Sequence, residues 1–239
     1  MRLSIALALI LLSLPALQAA DIVEPYWSLA KGNFWVYEGD ITFVSTNPAT
    51  DKNEIVEKHV TWKSEVREVL RNQDFTVAWL HGFPLELTWA DDKTQPGDLL
   101  MVQIGTDYYR ITGENIPALF EKLKAAGADW STCYQELEQA ELFLPVPLMA
   151  DKRFGGTPGN LISGRYCHLV EASSPFDLAG VKGAPKIEGA RSFDISSLSN
   201  PENSNIGFVP GLGITSYYYH HHGTAMDVSV HLIEFGHAK

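Results

Sequence analysis

Apolar and polar positions alternate over short stretches of this chain, and Gly, Pro, Asn and Asp punctuate the stretches. Asn33 to Val44 (NFWVYEGDITFV) interleaves aromatic and β-branched residues with polar ones, which predicts a strand that would break, if anywhere, at Glu38-Gly39. In Glu57 to Leu70, the spacing of Val60, Trp62, Ser64 and Val66 has the two-residue period of a strand and argues against a helix. Phe75 to Trp79, Leu85 to Trp89 and Leu99 to Ile104 read as further strands. Leu99–Ile104 and Tyr108–Thr112 flank the short connection Gly105-Thr106-Asp107, so they form a hairpin.

One segment changes period. Ile116, Leu119, Phe120 and Leu123 recur at helical spacing, with Asn115 as cap, Pro117 in the first turn, Lys122 and Lys124 near the end and Gly127 as the stop. This predicts a helix over about 115–127 whose apolar stripe packs on a sheet. Beyond it, Pro145 and Pro147 make Leu142–Leu148 an edge or irregular extended segment. Phe154–Asn160 reads as a loop, and strand character resumes at Tyr166–Glu171 and Ser192–Ser197. Ser173–Gly189 and Ser199–Asn205 have the composition of surface loops. The pattern describes a mainly β protein, with one domain over 21–239.

The C-terminal run Ile214–Phe235 (ITSYYYHHHGTAMDVSVHLIEF) is the clearest hairpin. A two-residue turn at His222-Gly223 would pair Tyr219 with Met226, Tyr217 with Val228 and Thr215 with Val230 on one apolar face. Tyr218–Asp227, Ser216–Ser229 and Ile214–His231 would occupy the other face.

The N-terminus has another kind of pattern. Arg2 precedes an apolar run from Ile5 to Leu14, and Pro15 leads into the small residues Ala16, Ala19 and Ala20. This is the layout of a cleavable secretory signal over residues 1–20. Pro15, Gln18 and Asp21 make the run too short for a transmembrane helix. An extracytoplasmic location follows, periplasmic or secreted, with no transmembrane segment. No Cys near the cleavage region offers a lipid attachment point.

Charge narrows the partners. The formal net charge is −11 and becomes −12 once Arg2 leaves with the leader. No basic run is present, which makes nucleic acid an unsuitable partner. Export also changes how Cys133 and Cys167 are read. In an oxidising compartment a lone pair favours a disulfide, which would constrain the unfolded chain by roughly 3–4 kcal/mol; the alternative is two buried thiols.

Candidate chemistry is sparse. On a strand, His220 and His222 share one side and His221 points away, so the pair could contribute two ligands to a zinc or copper site. A polar hairpin tip accounts for the same residues. His231 would lie roughly 25–30 Å from the tip at ordinary strand rise. No G-x-S-x-G elbow, H-E-x-x-H helix or P-loop occurs. Cys167 and His168 face opposite sides of a strand, Asp91-Asp92 sit in a polar turn, and His81-Gly82-Phe83-Pro84 reads as a turn between strands. No catalytic residue and no cofactor is implied.

Two terminal motifs carry a family resemblance. Tyr26-Trp27-Ser28-Leu29, followed by Gly32-Asn33-Phe34-Trp35-Val36-Tyr37-Glu38, is similar to the Y-x-P-L-x-x-G-N-x-W-x-Y opening of an uncharacterised family of bacterial exported β-rich proteins, with Ser28 in place of the common Pro. Phe208-Val209-Pro210-Gly211-Leu212-Gly213-Ile214-Thr215 and His221-His222-Gly223-Thr224 resemble the end of the same proteins. The resemblance implies a strongly curved antiparallel sheet or partial barrel with one packed helix, and it brings no activity. With 6 Trp, 9 Tyr and 11 Phe, such a sheet suits non-catalytic binding of an apolar or amphipathic small molecule, or of an envelope protein. The alternatives are a metal-dependent hydrolase or metal-binding protein using the His cluster, and an envelope-assembly protein acting through the two loops.

Overall fold

The computed structural model describes residues 26–47, 49–73, 75–91, 93–127, 129–133, 140–155, 168–198 and 202–237. The leader over 1–20 lies outside them. Twelve strands form one antiparallel sheet: β1 (Asn33–Asn47), β2 (Lys52–Arg71), β3 (Phe75–His81), β4 (Asp98–Ile104), β5 (Asp107–Ile111), β6 (Glu141–Leu144), β7 (Arg153–Phe154), β8 (His168–Pro175), β9 (Arg191–Leu198), β10 (Glu202–Val209), β11 (Gly213–His221) and β12 (Met226–His237). Their order is β6-β5-β4-β3-β2-β1-β12-β11-β10-β9-β8-β7. Every neighbour is a sequence neighbour except β1 and β12, which join the two ends of the chain. The sheet curls into a nearly closed barrel whose seam lies between β6 and β7, and α1 (Ile116–Ala126), the one longer helix among the described residues, packs outside it.

The interior follows from alternation. Trp35, Tyr37, Ile41 and Phe43 of β1 are buried, and the same buried cluster takes Trp62 and Val66, Leu99 and Met101, Tyr217 and Tyr219, and Val228 and Val230 from their strands. β3–β5 are buried on their outer face too. Val77, Leu100, Val102 and Ile111 meet Ile116, Phe120 and Leu123 of α1, which explains why Leu99–Val102 is a continuous apolar run. The helix begins beside Asn115 without a side-chain cap and stops at Gly127, whose φ is +64°.

Two segments fill the barrel. From one end comes Tyr26–Leu29. Trp27 is 3% exposed and touches the rings of Trp35, Phe83, Tyr108, Phe143 and Phe208, with centroids 5.6–6.4 Å away. Its backbone N–H donates to the Tyr108 hydroxyl at 3.0 Å. From the opposite rim, where odd-numbered strands end and even-numbered ones begin, residues 83–91 fold over the mouth. Gly82 turns the chain there with φ +74° and donates to the Gly97 carbonyl. Its carbonyl accepts from the Trp62 indole N–H at 2.8 Å.

Several expectations are corrected. Leu85–Trp89 belongs to a 3-10 helix, Pro84–Trp89, and not to a strand; it lies against β1, β2, β11 and β12, so it acts as a plug. β1 runs through Glu38-Gly39 without a break, and the pairing irregularity with β12 falls between Val36 and Tyr37. Glu202–Asn205, read as loop, starts β10: all four residues pair with β11, and Asn203–Asn205 pair with β9 as well. Ser173–Pro175 are strand, and the segment after them is anchored: the Lys182 N–H donates to the Ile233 carbonyl and the Phe235 N–H donates to the Lys182 carbonyl. The final hairpin has a four-residue turn, His222–Ala225, so Tyr219 faces Val228 and Tyr217 faces Val230. That slip of two residues preserves which side chains point inward.

Candidate functional site

The candidate features gather at the plugged mouth. On one flank of the plug, a groove of about 240 Å³ lies between Leu87, Ala90, Asp91 and Thr94 and the β1–β2 wall, where Ile41, Val60 and Trp62 supply an apolar floor. Lys58, His59 and Thr61 complete it. The Asp91 carboxyl is held below the usual carboxylate range by the Lys93 N–H and the Thr94 hydroxyl, so it is ionised at the groove's edge. His59 is exposed and sits 2.8 Å from Asp40 and 3.3 Å from Glu38. Hydrogen bonds donated by its ring to these two carboxylates favour its charged form and raise its pKa.

The other flank is polar. Tyr217 and Thr88 share a hydroxyl–hydroxyl hydrogen bond of 2.5 Å that ties the plug to β11. Burial pushes the Tyr217 phenol up to about 12. The Tyr219 phenol also rises to about 12, first from burial and then from the nearby Glu202 carboxylate, to which its hydroxyl is hydrogen-bonded. Trp89 is 55% exposed and leans edge-on against Tyr219 and His221. Facing these across the mouth, the Arg110 guanidinium donates to Glu141 at 2.7 Å and lies over the Phe143 ring. His168, at the start of β8, is driven down to about 4 by burial; Glu141 opposes that shift and Arg110 adds to it. His168 is therefore neutral at pH 7. Arg110 and Glu141 on one side and His168 on the other bracket the seam between β6 and β7 from within.

The hairpin tip carries the expected His pair. The His220 and His222 rings are 5.0 Å apart and edge-to-face. His220 is paired with Asp227 at 2.5 Å, and the Asn203 amide lies 2.9 Å from His222. Among the described residues, no three His, Cys, Asp or Glu side chains gather in a geometry that would hold a metal ion. His231 pairs in register with Ser216 and Glu38, away from the tip. His81 bonds to Asp98 at 2.8 Å, beside the turn at Gly82. Cys133 is buried among the residues beneath α1, and Cys167 lies outside the described residues, as therefore does a bridge between them. Among the described residues, no helix is long and apolar enough to cross a membrane.

Sequence reasoning found Tyr217, Tyr219 and the aromatic β1 but missed Arg110, Glu141, His168, Thr88 and Trp89 as a group. They come from β5, β6, β8 and the plug, and no spacing in the sequence links them.

The fold and its mouth define an up-and-down antiparallel barrel, plugged from both ends and open along one seam. No protein-family model matches the chain, and no curated protein matches it. Among solved structures it is similar to a Bacteroides fragilis protein with a YmcC-like fold, provisionally described as exported: TM-score 0.42, 8% identity, 88% of this chain and 98% of that one covered. It is also similar to a protein from Parabacteroides distasonis, provisionally described as a lipoprotein, at TM-score 0.42 and 9% identity over 88% and 98% of the two chains. At these values neither likeness carries an argument about function.

Proposed function

We propose that this chain is an exported, non-catalytic binding protein whose barrel mouth takes a compact amphipathic ligand. The observation that carries the reading is the groove of about 240 Å³ beside the plug, with Ile41, Val60, Trp62, Leu87 and Ala90 as apolar lining and charged groups confined to its edge. Binding sites commonly combine an apolar lining with a few orienting polar groups. The aromatic packing around Trp27 fills the middle of the barrel, so a long alkyl chain has no path inward. The N-terminal pattern of Arg2, an apolar run and small residues supports export. In the compartment that export implies, Cys133 and Cys167 form a disulfide, which intact mass before and after reduction reads directly. The binding reading is tested by solvent extraction of the mature protein, purified without detergent, and mass analysis of the extract. A recurrent small amphiphile is expected, and an extract identical to the buffer blank contradicts the reading.

A second reading rests on the 5.0 Å approach of His220 and His222 at the hairpin tip. With Asp227 and Asn203 beside them, they would supply imidazole ligands to zinc or copper in a metal carrier or metal-dependent hydrolase. Elemental analysis of untagged, chelator-washed protein decides it: stoichiometric metal supports this reading, and none ends it.

A further inference from the structure

The β1–β2 hairpin carries a strand edge that the barrel does not use. We propose that this edge, Lys52–Thr61 of β2, pairs antiparallel with the same edge of a second copy of the chain, about a two-fold axis at Val56. The pairing needs no occupant in the groove, so it stands or falls separately from the binding reading.

Unequal strand lengths create the edge. β2 has 20 residues, and β3, with 7, pairs only with Glu65–Arg71. Among the described residues, no strand pairs with Lys52–Ser64 on the side away from β1. The chain leaves that side when it turns at Gly82 into the plug. Near its tip the hairpin also outruns β12, whose pairing with β1 stops at Thr42.

Two contacts fix which backbone groups point outward. The Val66 carbonyl accepts from the Gly32 N–H on the β1 side, and the Lys63 carbonyl oxygen lies against Gly82 on the other. The β1–β2 register runs without a shift. Asn53, Ile55, Glu57, His59 and Thr61 therefore present their N–H and C=O groups to the open edge. Such a row is a template for another strand.

Side chains then select the occupant. Ile55 is the most exposed large apolar side chain among the described residues, at 66%, and its cross-strand neighbour Val44 is exposed too. In an antiparallel ladder the outward-pointing residues must pair with one another, so the register moves only in steps of two residues. Setting Val56 opposite Val56 places Glu54 against the partner's Lys58 and Lys58 against the partner's Glu54. The two Ile55 side chains become diagonal neighbours on the outer face. On the inner face, the Phe43–Val56 pair gains the partner's Val56. The partner's Lys52 falls opposite Val60, which lines the groove together with Asp91.

The neighbouring registers are worse. One centred on Ile55 sets Lys52 against Lys58 twice, and one centred on Glu57 sets two glutamates face to face; like charges directly opposite destabilise a pair. Charged side chains on an open edge ordinarily discourage pairing. Here they oppose the adjacent registers and complement one another in this one. The result is a closed, isologous contact in which one patch serves both copies.

The test is sedimentation velocity of the untagged mature protein over a concentration series. A reversible monomer–dimer equilibrium is expected. Glu54→Lys and Lys58→Glu each convert two opposite-charge pairs into two like-charge pairs, and each should weaken the dimer about tenfold or more. Both positions are exposed, so the barrel itself should be unaffected. An equimolar mixture of the two variants recreates both pairs and should dimerise as the wild type does. Recovery on mixing also excludes misfolding as the cause of the loss. Three results overturn the proposal: a wild type that stays monomeric throughout, a dimer indifferent to both reversals, or single variants that mixing does not rescue.

Discussion

His168 offers a quantitative probe of how dry the seam side of the mouth is. Its ring lies 5.0 Å from that of Phe154, and burial holds its pKa at about 4, well below the ordinary 6.5 of an imidazole. A folded-state value below the unfolded one means that, as pH falls, the unfolded chain takes up a proton the native protein refuses. Its contribution to stability is therefore complete above pH 6.5 or so, declines as pH falls toward 4, and is constant below that. Linkage over the interval from about pH 7.5 to about pH 4.5 gives a loss of about 2.5 kcal/mol attributable to this one group. Other groups titrate in the same interval, and some oppose it. Burial raises the carboxyls of Glu86 and Asp194, so they gain stability on acidification. Subtracting the curve of a His168→Gln variant removes their effect. Urea unfolding of both proteins at the two pH values is expected to show the wild type losing about 2.5 kcal/mol more than the variant. A difference below about 0.5 kcal/mol would refute the reasoning and mean that water reaches the imidazole. NMR titration of the His168 ring in the wild type gives an independent readout, with no titration step expected above about pH 5.

Two further predictions concern the segment that fills the barrel from the other end. Trp27→Ala removes five aromatic contacts from a side chain 3% exposed and should cost about 3–5 kcal/mol by urea denaturation. A cost under about 1 kcal/mol would show that the segment Tyr26–Leu29 does not seat inside the sheet. Gly213→Ala should also destabilise by about 2 kcal/mol or more, because φ there is +111° and an added Cβ would lie 2.5 Å from the Trp27 indole nitrogen. A variant melting at the wild-type temperature would rule out that close approach.

The parts of the fold legible in the sequence were those in which one face of a strand is buried. β1 and β2 declare themselves by alternation, and α1 by a change of period. The two-residue error in the β11–β12 register left Tyr217, Tyr219, Val228 and Val230 facing inward, since parity and not turn length decides the face. The plug was misread because Leu85, Leu87 and Trp89 alternate as a strand would. Pro84 starts a tight helical turn there, and Leu87 is buried against β-sheet walls that the sequence does not reveal. β10 was missed for the opposite reason. Its Asn- and Ser-rich first half looks like loop, but pairing to β9 and β11 on both sides overrides local preference. The mouth was the least legible region, because Arg110, Glu141 and His168 meet only when the sheet curls and brings β6 near β8.

On the function proposed for this chain, the groove beside the plug holds a small ligand. Native mass spectrometry of the mature protein and of Val60→Phe, which fills the groove floor, tests it most directly. A one-to-one small-molecule adduct is expected on the wild type and absent from a variant that keeps its fold. An adduct retained by Val60→Phe, or absent from the wild type, contradicts it.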